Sequence, residues 1–173
     1  NWTLSNTGIA PDHVTIRSLA YDPGEPGALT GTLYAGTNGG VYRSLDDGES
    51  WKHVNVGIPD TTQYGGIISL HVASPGRVYA GAGAVYRTDN AGESWETLGC
   101  ECYTKSVHEF EGVILVGTYA NGLFRSVDDG ATFQKIFPKT GPGAPPSPIG
   151  VASIVGDAST KTLRLATFSI FGS

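Results

Sequence analysis

One segment recurs three times along this chain, and nothing else in it restricts the fold as much. Gly36-Thr-Asn-Gly-Gly-Val-Tyr-Arg-Ser-Leu-Asp-Asp-Gly-Glu-Ser-Trp51 returns as Gly81-Ala-Gly-Ala-Val-Tyr-Arg-Thr-Asp-Asn-Ala-Gly-Glu-Ser-Trp95. It returns again as Gly117-Thr-Tyr-Ala-Asn-Gly-Leu-Phe-Arg-Ser-Val-Asp-Asp-Gly-Ala-Thr-Phe133. The closing aromatics are 44 and 38 residues apart, and Trp2 stands 49 residues before Trp51. The Thr-Leu after Trp2 matches the short polar stretch after each later aromatic, so Trp2 reads as the end of a further unit. A unit of this size cannot bury its apolar face alone and must stack on its neighbours.

Within a period, apolar residues alternate over short runs bounded by glycine, asparagine and aspartate, which predicts four strands per unit. The runs are 14–22, 32–37, 40–45 and 51–55; 67–73, 77–81, 84–88 and 95–98; and 105–110, 113–118, 122–127 and 133–137, with 150–155 and 162–167 in the tail. Four-stranded units repeated at this spacing specify an all-β chain, a partial β-propeller of about four blades of antiparallel strands. The whole of 1–173 is one such unit: 1–5 ends a blade, 14–55, 67–98 and 105–137 are complete blades, and 150–173 begins another. A closed ring has about four to eight blades. The expectation is therefore an arc, completed by missing chain, a second copy or another protein. An arc leaves a bare strand edge and an uncovered blade face at each end.

Composition excludes several classes of function. The net charge is −5 with no cluster of lysine and arginine, so no phosphate-backbone footprint is present. The apolar runs fall far short of the roughly 20 residues that span a bilayer, and no signal peptide is read. The 25 glycines sit at matching places in each repeat and act as punctuation, and the lack of methionine suggests that the native initiator is missing.

The repeated motif lies between the third and fourth strands of each unit, and its residue types suit a turn. Asp46 or Asp128 can accept backbone N–H bonds from the residues that follow, and Ser44, Thr88 or Ser126 adds a hydroxyl. Gly48, Gly92 and Gly130 supply the positive φ of a tight reversal. Trp51, Trp95 and Phe133 are expected to bury a ring between neighbouring sheets, worth about 1.5–3 kcal/mol each. Ser44-Leu-Asp46-Asp-Gly48-Glu-Ser-Trp51 and Ser126-Val-Asp128-Asp-Gly130-Ala-Thr-Phe133 resemble the Asp-box, or bacterial neuraminidase repeat, S/T-x-D-x-G-x-x-W/F. Thr88-Asp-Asn90-Ala-Gly92-Glu-Ser-Trp95 departs from it in Asn90, which keeps one acceptor and implies a slightly weakened turn. Propellers of that family include sialidases, xyloglucan-degrading endoglucanases, sortilin-type receptors and photosystem II assembly factors. Leu33-Tyr-Ala-Gly-Thr37 is most similar to the xyloglucanase and sortilin branches.

The resemblance leaves function open. A sialidase-like site needs an aperiodic arginine trio, whereas Arg43, Arg87 and Arg125 hold one position in three repeats and read as part of the architecture. A xyloglucanase-like site needs two carboxylates facing each other across a sugar. Asp22 and Asp157 read as turn residues, which leaves Asp12 and Asp60, in loops leading into first strands, as weak catalytic candidates. His13, His53, His71 and His108 lack ligand spacing, Asp46-Asp47-Gly48 lacks the oxygens of a calcium loop, and no metal or cofactor is expected. Cys100 and Cys102, two apart on an extended chain, bridge poorly; buried thiols are the leading reading and a labile disulfide the other.

Binding residues are sought in the loops. The connections 57–66 and 138–148 are long, and Tyr64, Tyr103 and Tyr119, with Asn121, can stack on and hydrogen-bond a sugar or a peptide side chain. The sequence thus points to a non-catalytic module that binds protein or glycan, or scaffolds a larger assembly. By resemblance it is extracytoplasmic or secreted and prokaryotic. The alternative is a fragment of a glycoside hydrolase of the xyloglucanase or sialidase type.

Overall fold

A computed structural model describes residues 3–100, 102–138, 149–157 and 162–169. Asn1, Trp2 and residues 139–148 of the long second connection lie outside the described residues. Fourteen strands run in chain order: β1 (Ile16–Asp22), β2 (Thr32–Thr37), β3 (Gly40–Ser44), β4 (Lys52–His53), β5 (Ser69–Ser74), β6 (Arg77–Gly81), β7 (Val85–Thr88), β8 (Glu96–Thr97), β9 (Thr104–Phe110), β10 (Val113–Thr118), β11 (Leu123–Ser126), β12 (Gln134–Phe137), β13 (Ile149–Asp157) and β14 (Thr162–Ser169). They form three four-stranded antiparallel meanders, β1–β4, β5–β8 and β9–β12, and a two-stranded sheet, β13–β14. The chain is all-β, a partial β-propeller, and its core lies between consecutive sheets. Tyr34, Val41, Val54 and Ile58 of the first meet Ile67, Val78, Tyr86 and Trp95 of the second. Tyr79, Val85 and Leu98 then meet Val107, Ile114 and Val116, and Leu115 and Leu123 meet Val151 and Ile154.

The fourth strands are shorter than the alternation predicts. β4 and β8 keep two residues each, because Trp95 turns out of its sheet to meet the blade before it. Its amide donates to Val56 O (2.8 Å) and its indole Nε1 to Val54 O (2.7 Å). Trp95 is buried as expected, but Trp51 and Phe133 are only partly so. Two first strands, β1 and β5, start two residues later than the apolar run: Ile67 lies ahead of β5, and its amide donates to Thr37 O of the first sheet (2.8 Å). Thr104 repeats this by donating to Ala82 O (2.8 Å). β13 and β14 each extend beyond the predicted runs.

This handover between blades requires a residue without a side chain on the second strand. A Cβ on Gly36 would stand 2.7 Å from Ile67 O, and one on Gly117 would stand 2.8 Å from Val151 O. Asp22 adds a polar tie. Its Oδ1 accepts the Gly24 amide, the local turn expected of it, and its Oδ2 accepts the Gly76 amide of the second sheet, both at 2.8 Å.

The repeated turns follow one plan. Ser44 Oγ donates to Asp46 Oδ1 (2.7 Å) and accepts the Gly48 amide (2.9 Å), while the Ser50 amide donates to Asp46 Oδ1 (2.9 Å). Ser126, Asp128, Gly130 and Thr132 reproduce these bonds. With Asn90 the turn also closes: Thr88 Oγ1 donates to Asn90 Oδ1 (2.8 Å), and the amide group donates to Ser94 Oγ (2.8 Å), the reverse of the Ser50-to-Asp46 hydroxyl bond. Two consecutive residues are left-handed in each turn, the glycine and the residue before it, Asp47 (φ 54°), Ala91 (55°) and Asp129 (57°). The carbonyls of Ala91 and Asp129 accept an arginine from the preceding blade: Arg43 Nη1 reaches Ala91 O (2.6 Å), and Arg87 Nη1 reaches Asp129 O (3.0 Å).

The hydrogen bonds that Asp46 and Asp128 accept from hydroxyls and amides hold both carboxyls down to about 2. Their unfolded value is about 3.9. The stability they contribute is therefore whole above pH 4 and drains away as pH falls toward 2. The replacement of both by alanine is expected to lower the melting temperature at pH 7 by several degrees and to flatten its fall between pH 4 and 2, read by circular dichroism. Gly117→Val forces a side chain against Val151 and is expected to cost about 1–3 kcal/mol in urea unfolding.

Candidate functional site

The meander order sorts the connections onto two faces. One carries the repeated turns between third and fourth strands; the other carries the second-to-third hairpins and the loops leading into β5 and β9. On this second face Tyr64, Tyr103 and Tyr119 converge. Tyr64 sits in a single 3-10 turn (Thr62–Tyr64) and lies against Gly83 of the β6–β7 hairpin. Its ring meets that of Tyr103 edge-on, centroids 5.3 Å apart. The Tyr119 amide donates to Tyr103 O (2.8 Å), which fixes the two residues side by side.

These three rings line a groove of about 280 Å³ with Ile68, Ala82, Thr104 and Lys105. Lys105, which the sequence reading missed, holds its Nζ 5.2 Å from the centre of the Tyr119 ring. A second groove of about 500 Å³ shares Tyr64 and Tyr103 and adds Pro59, Asp60 and Gln63. Asn121 lines neither; its backbone N–H donates to Thr118 Oγ1 (2.9 Å) in the β10–β11 turn, and the residue bridges to Ile149.

Among the described residues Asp60 is the one carboxylate that lines either groove. Its Oδ1 accepts both the Thr62 hydroxyl (2.7 Å) and the Thr62 amide (2.9 Å), and these bonds lower its pKa. It is thus an ionised acceptor near neutral pH, unsuited to donating a proton. Asp12 stands apart, four-fifths exposed beside His13 Nε2 at 3.9 Å. His13 Nδ1 pairs with Tyr42 Oη (2.8 Å). His71 and His108, on the inner strands, lie ring against ring at 4.3 Å, and His71 Nε2 pairs with Glu109 O (3.1 Å). Burial and the neighbouring His108 push His71 down to about 4, so it is neutral in the fold. Among the described residues no group of three or more metal-ligating side chains comes together, and no helix is long and apolar enough to cross a membrane.

No protein-family model matches the chain, and no curated protein does. Solved structures do. A GH74 xyloglucanase from Xanthomonas campestris superposes with a TM-score of 0.66 at 23% identity, over 90% of this chain and 28% of that one. A GH74 enzyme from Niastella koreensis gives 0.63 at 20% identity, over 88% and 26%. YCF48 bound to D1 peptide gives 0.52 at 16% identity, over 69% and 40%. The chain spans about a quarter to two fifths of the length of these proteins, and the likeness is one of fold, a β-propeller.

Beside the groove the expectation of free thiols fails. Cys100 and Cys102 form a disulfide, with Cα atoms 5.3 Å apart. The chain is not extended there: two residues of extended strand would hold these Cα atoms about 6.6–6.8 Å apart, whereas 5.3 Å lies within the range a disulfide bridges. Both cysteines are buried against Leu98 and Val107. The folded protein is expected to resist iodoacetamide, and to take up two labels by intact mass only after reduction and unfolding.

Proposed function

We propose that the chain is a non-catalytic binding module of the Asp-box type and an arc of a larger propeller, with the Tyr64–Tyr103–Tyr119 groove receiving a glycan or a segment of protein. The observation that carries this reading is the convergence of three loop tyrosines and one lysine on a single groove. Aromatic faces take the apolar faces of sugar rings or of peptide side chains, and Lys105 adds a cation where the ring of Tyr119 supports it. Asp60, the one carboxylate of the grooves among the described residues, is committed to Thr62, which favours orientation of a ligand over proton transfer. The Cys100–Cys102 disulfide supports a place outside the reducing cytoplasm. That YCF48 is seen with a bound peptide supports the protein-ligand form of the reading.

The likeness to GH74 enzymes favours a second reading, a fragment of a glycoside hydrolase. Release of sugar from xyloglucan or a sialoside, abolished by Asp12→Asn or Asp60→Asn, would establish it. For the binding module, calorimetric titration with xyloglucan oligosaccharides and with a peptide library is expected to give saturable binding in one class. Tyr103→Ala should weaken that binding about tenfold, near 1.4 kcal/mol, without changing the melting temperature. Absence of saturable binding in both classes overturns the proposal.

A further inference from the structure

Three interfaces within the arc show what covers the upstream face of a blade. At the start of each inner strand stands Ile67, Thr104 or Val151, all fully buried, and three residues on stands Leu70, Val107 or Ile154, packed toward the preceding sheet. Strand register makes Leu19, Leu70 and Val107 equivalent, since each pairs with the residue just before the second-strand glycine: Ala35, Ala80 and Val116. The first sheet carries the same pattern with no inner strands against it among the described residues. Ile16 is 43% and Leu19 66% exposed, against 0% for Ile67 and 5% for Val107. Ile16 and Leu19 line an apolar groove of about 380 Å³ with Leu4, Val14 and Trp51.

Part of the missing cover is already seated. Thr7 O accepts the Trp51 amide (2.8 Å), as Val56 O accepts that of Trp95 (2.8 Å), and Ser5 O accepts the Trp51 indole (3.2 Å), as Val54 O accepts that of Trp95 (2.7 Å). The Ile9 amide donates to Asn6 O (3.0 Å), as that of Ile58 does to Asn55 O (2.9 Å). Residues 3–9 therefore stand where residues 52–58 stand one blade later, as the outer strip of a sheet whose inner strands are open to addition.

The polar contacts point the same way. In the next interface Arg43 grips Ala91 O (2.6 Å) and the Glu93 carboxylate (2.7 Å). The corresponding groups of the first turn, Asp47 O and the side chain of Glu49, meet no arginine among the described residues. We propose that this open face is a docking surface for one further blade of the chain's own repeat type. The blade pairs its third strand with residues 3 and 4 and lays an arginine from that strand onto Asp47 O and Glu49. The inference rests on the reading of the chain as an arc of a larger propeller and is independent of the tyrosine groove.

The test supplies such a blade. Residues 10–51 are fused ahead of Thr3 in place of Asn1 and Trp2, so that the grafted Trp51 takes the place of Trp2 and the grafted Arg43 falls opposite Glu49. The extended chain is expected to stay monomeric and to melt several degrees above the 173-residue chain. Leu19→Glu should lower the melting temperature of the extended chain and leave that of the shorter one unchanged. Glu49→Arg should destabilise the extended chain, and reversal of the grafted arginine to glutamate should restore it. An unchanged melting temperature, an equal effect of Leu19→Glu in both chains, or no rescue by the charge swap overturns the proposal. So does self-association of the 173-residue chain that Leu19→Glu abolishes, which would make a second copy the occupant. The readout is stability, so a failed graft leaves the ligand titrations standing, and failed titrations leave the graft standing.

Discussion

The second and third sheets each begin on the backbone of the sheet before them. The amides of Ile67 and Thr104 leave their own blades to bond Thr37 O and Ala82 O, and this handover fixes how closely successive inner strands approach. The rest follows from that distance. Gly36 and Gly117 must lack a Cβ because the next chain passes where one would lie. Three small cores form between blades, each too small to hold a domain alone. Arg43 and Arg87 are close enough to bond the turns of the following blade. Stability here is thus a property of neighbouring pairs, as in other repeat architectures.

The sequence made legible what depends on spacing and left hidden what depends on neighbours. Alternation and glycine punctuation marked the strands, and the hydroxyl, carboxylate and glycine of each repeat have offsets that a turn alone explains. The two-residue length of β4 and β8 was not legible, because Trp95 is drawn out of line by carbonyls more than thirty residues away in sequence. The left-handed backbone of Asp47, Ala91 and Asp129 was hidden too, since none is glycine and no local rule marks them. Asn90 shows the opposite case: read as a weakened aspartate, it closes its turn by donating where aspartate accepts.

The same division runs through the candidate site. Tyr64, Tyr103 and Tyr119 stood out as loop aromatics in an otherwise regular repeat, and the fold brings them to one groove because all three lie on connections of the same face. Lys105 did not stand out, since it lies in the alternating pattern of β9 and only the neighbouring turn puts the Tyr119 ring beneath it. Asn121 lay close in sequence to the right residue, but the bend that carries Tyr119 into the groove carries Asn121 away from it. Cys100 and Cys102 were judged on an extended chain, and their Cα atoms stand closer than such a chain holds them.

The arginine contacts give the arc a direction. The first and second blades each reach forward with a guanidinium, and the second and third each receive one from behind, so the leading and trailing faces of a blade are chemically different surfaces. Two copies related by a two-fold axis would have to present the same face to each other, and at the first sheet this would set Asp47 O and Glu49, which in the next interface correspond to groups held by an arginine, against their own counterparts. Growth of such a structure is vectorial: it can close into a ring or lengthen head to tail, but a mirror-like pairing of like ends leaves the forward hand of one blade with nothing to hold.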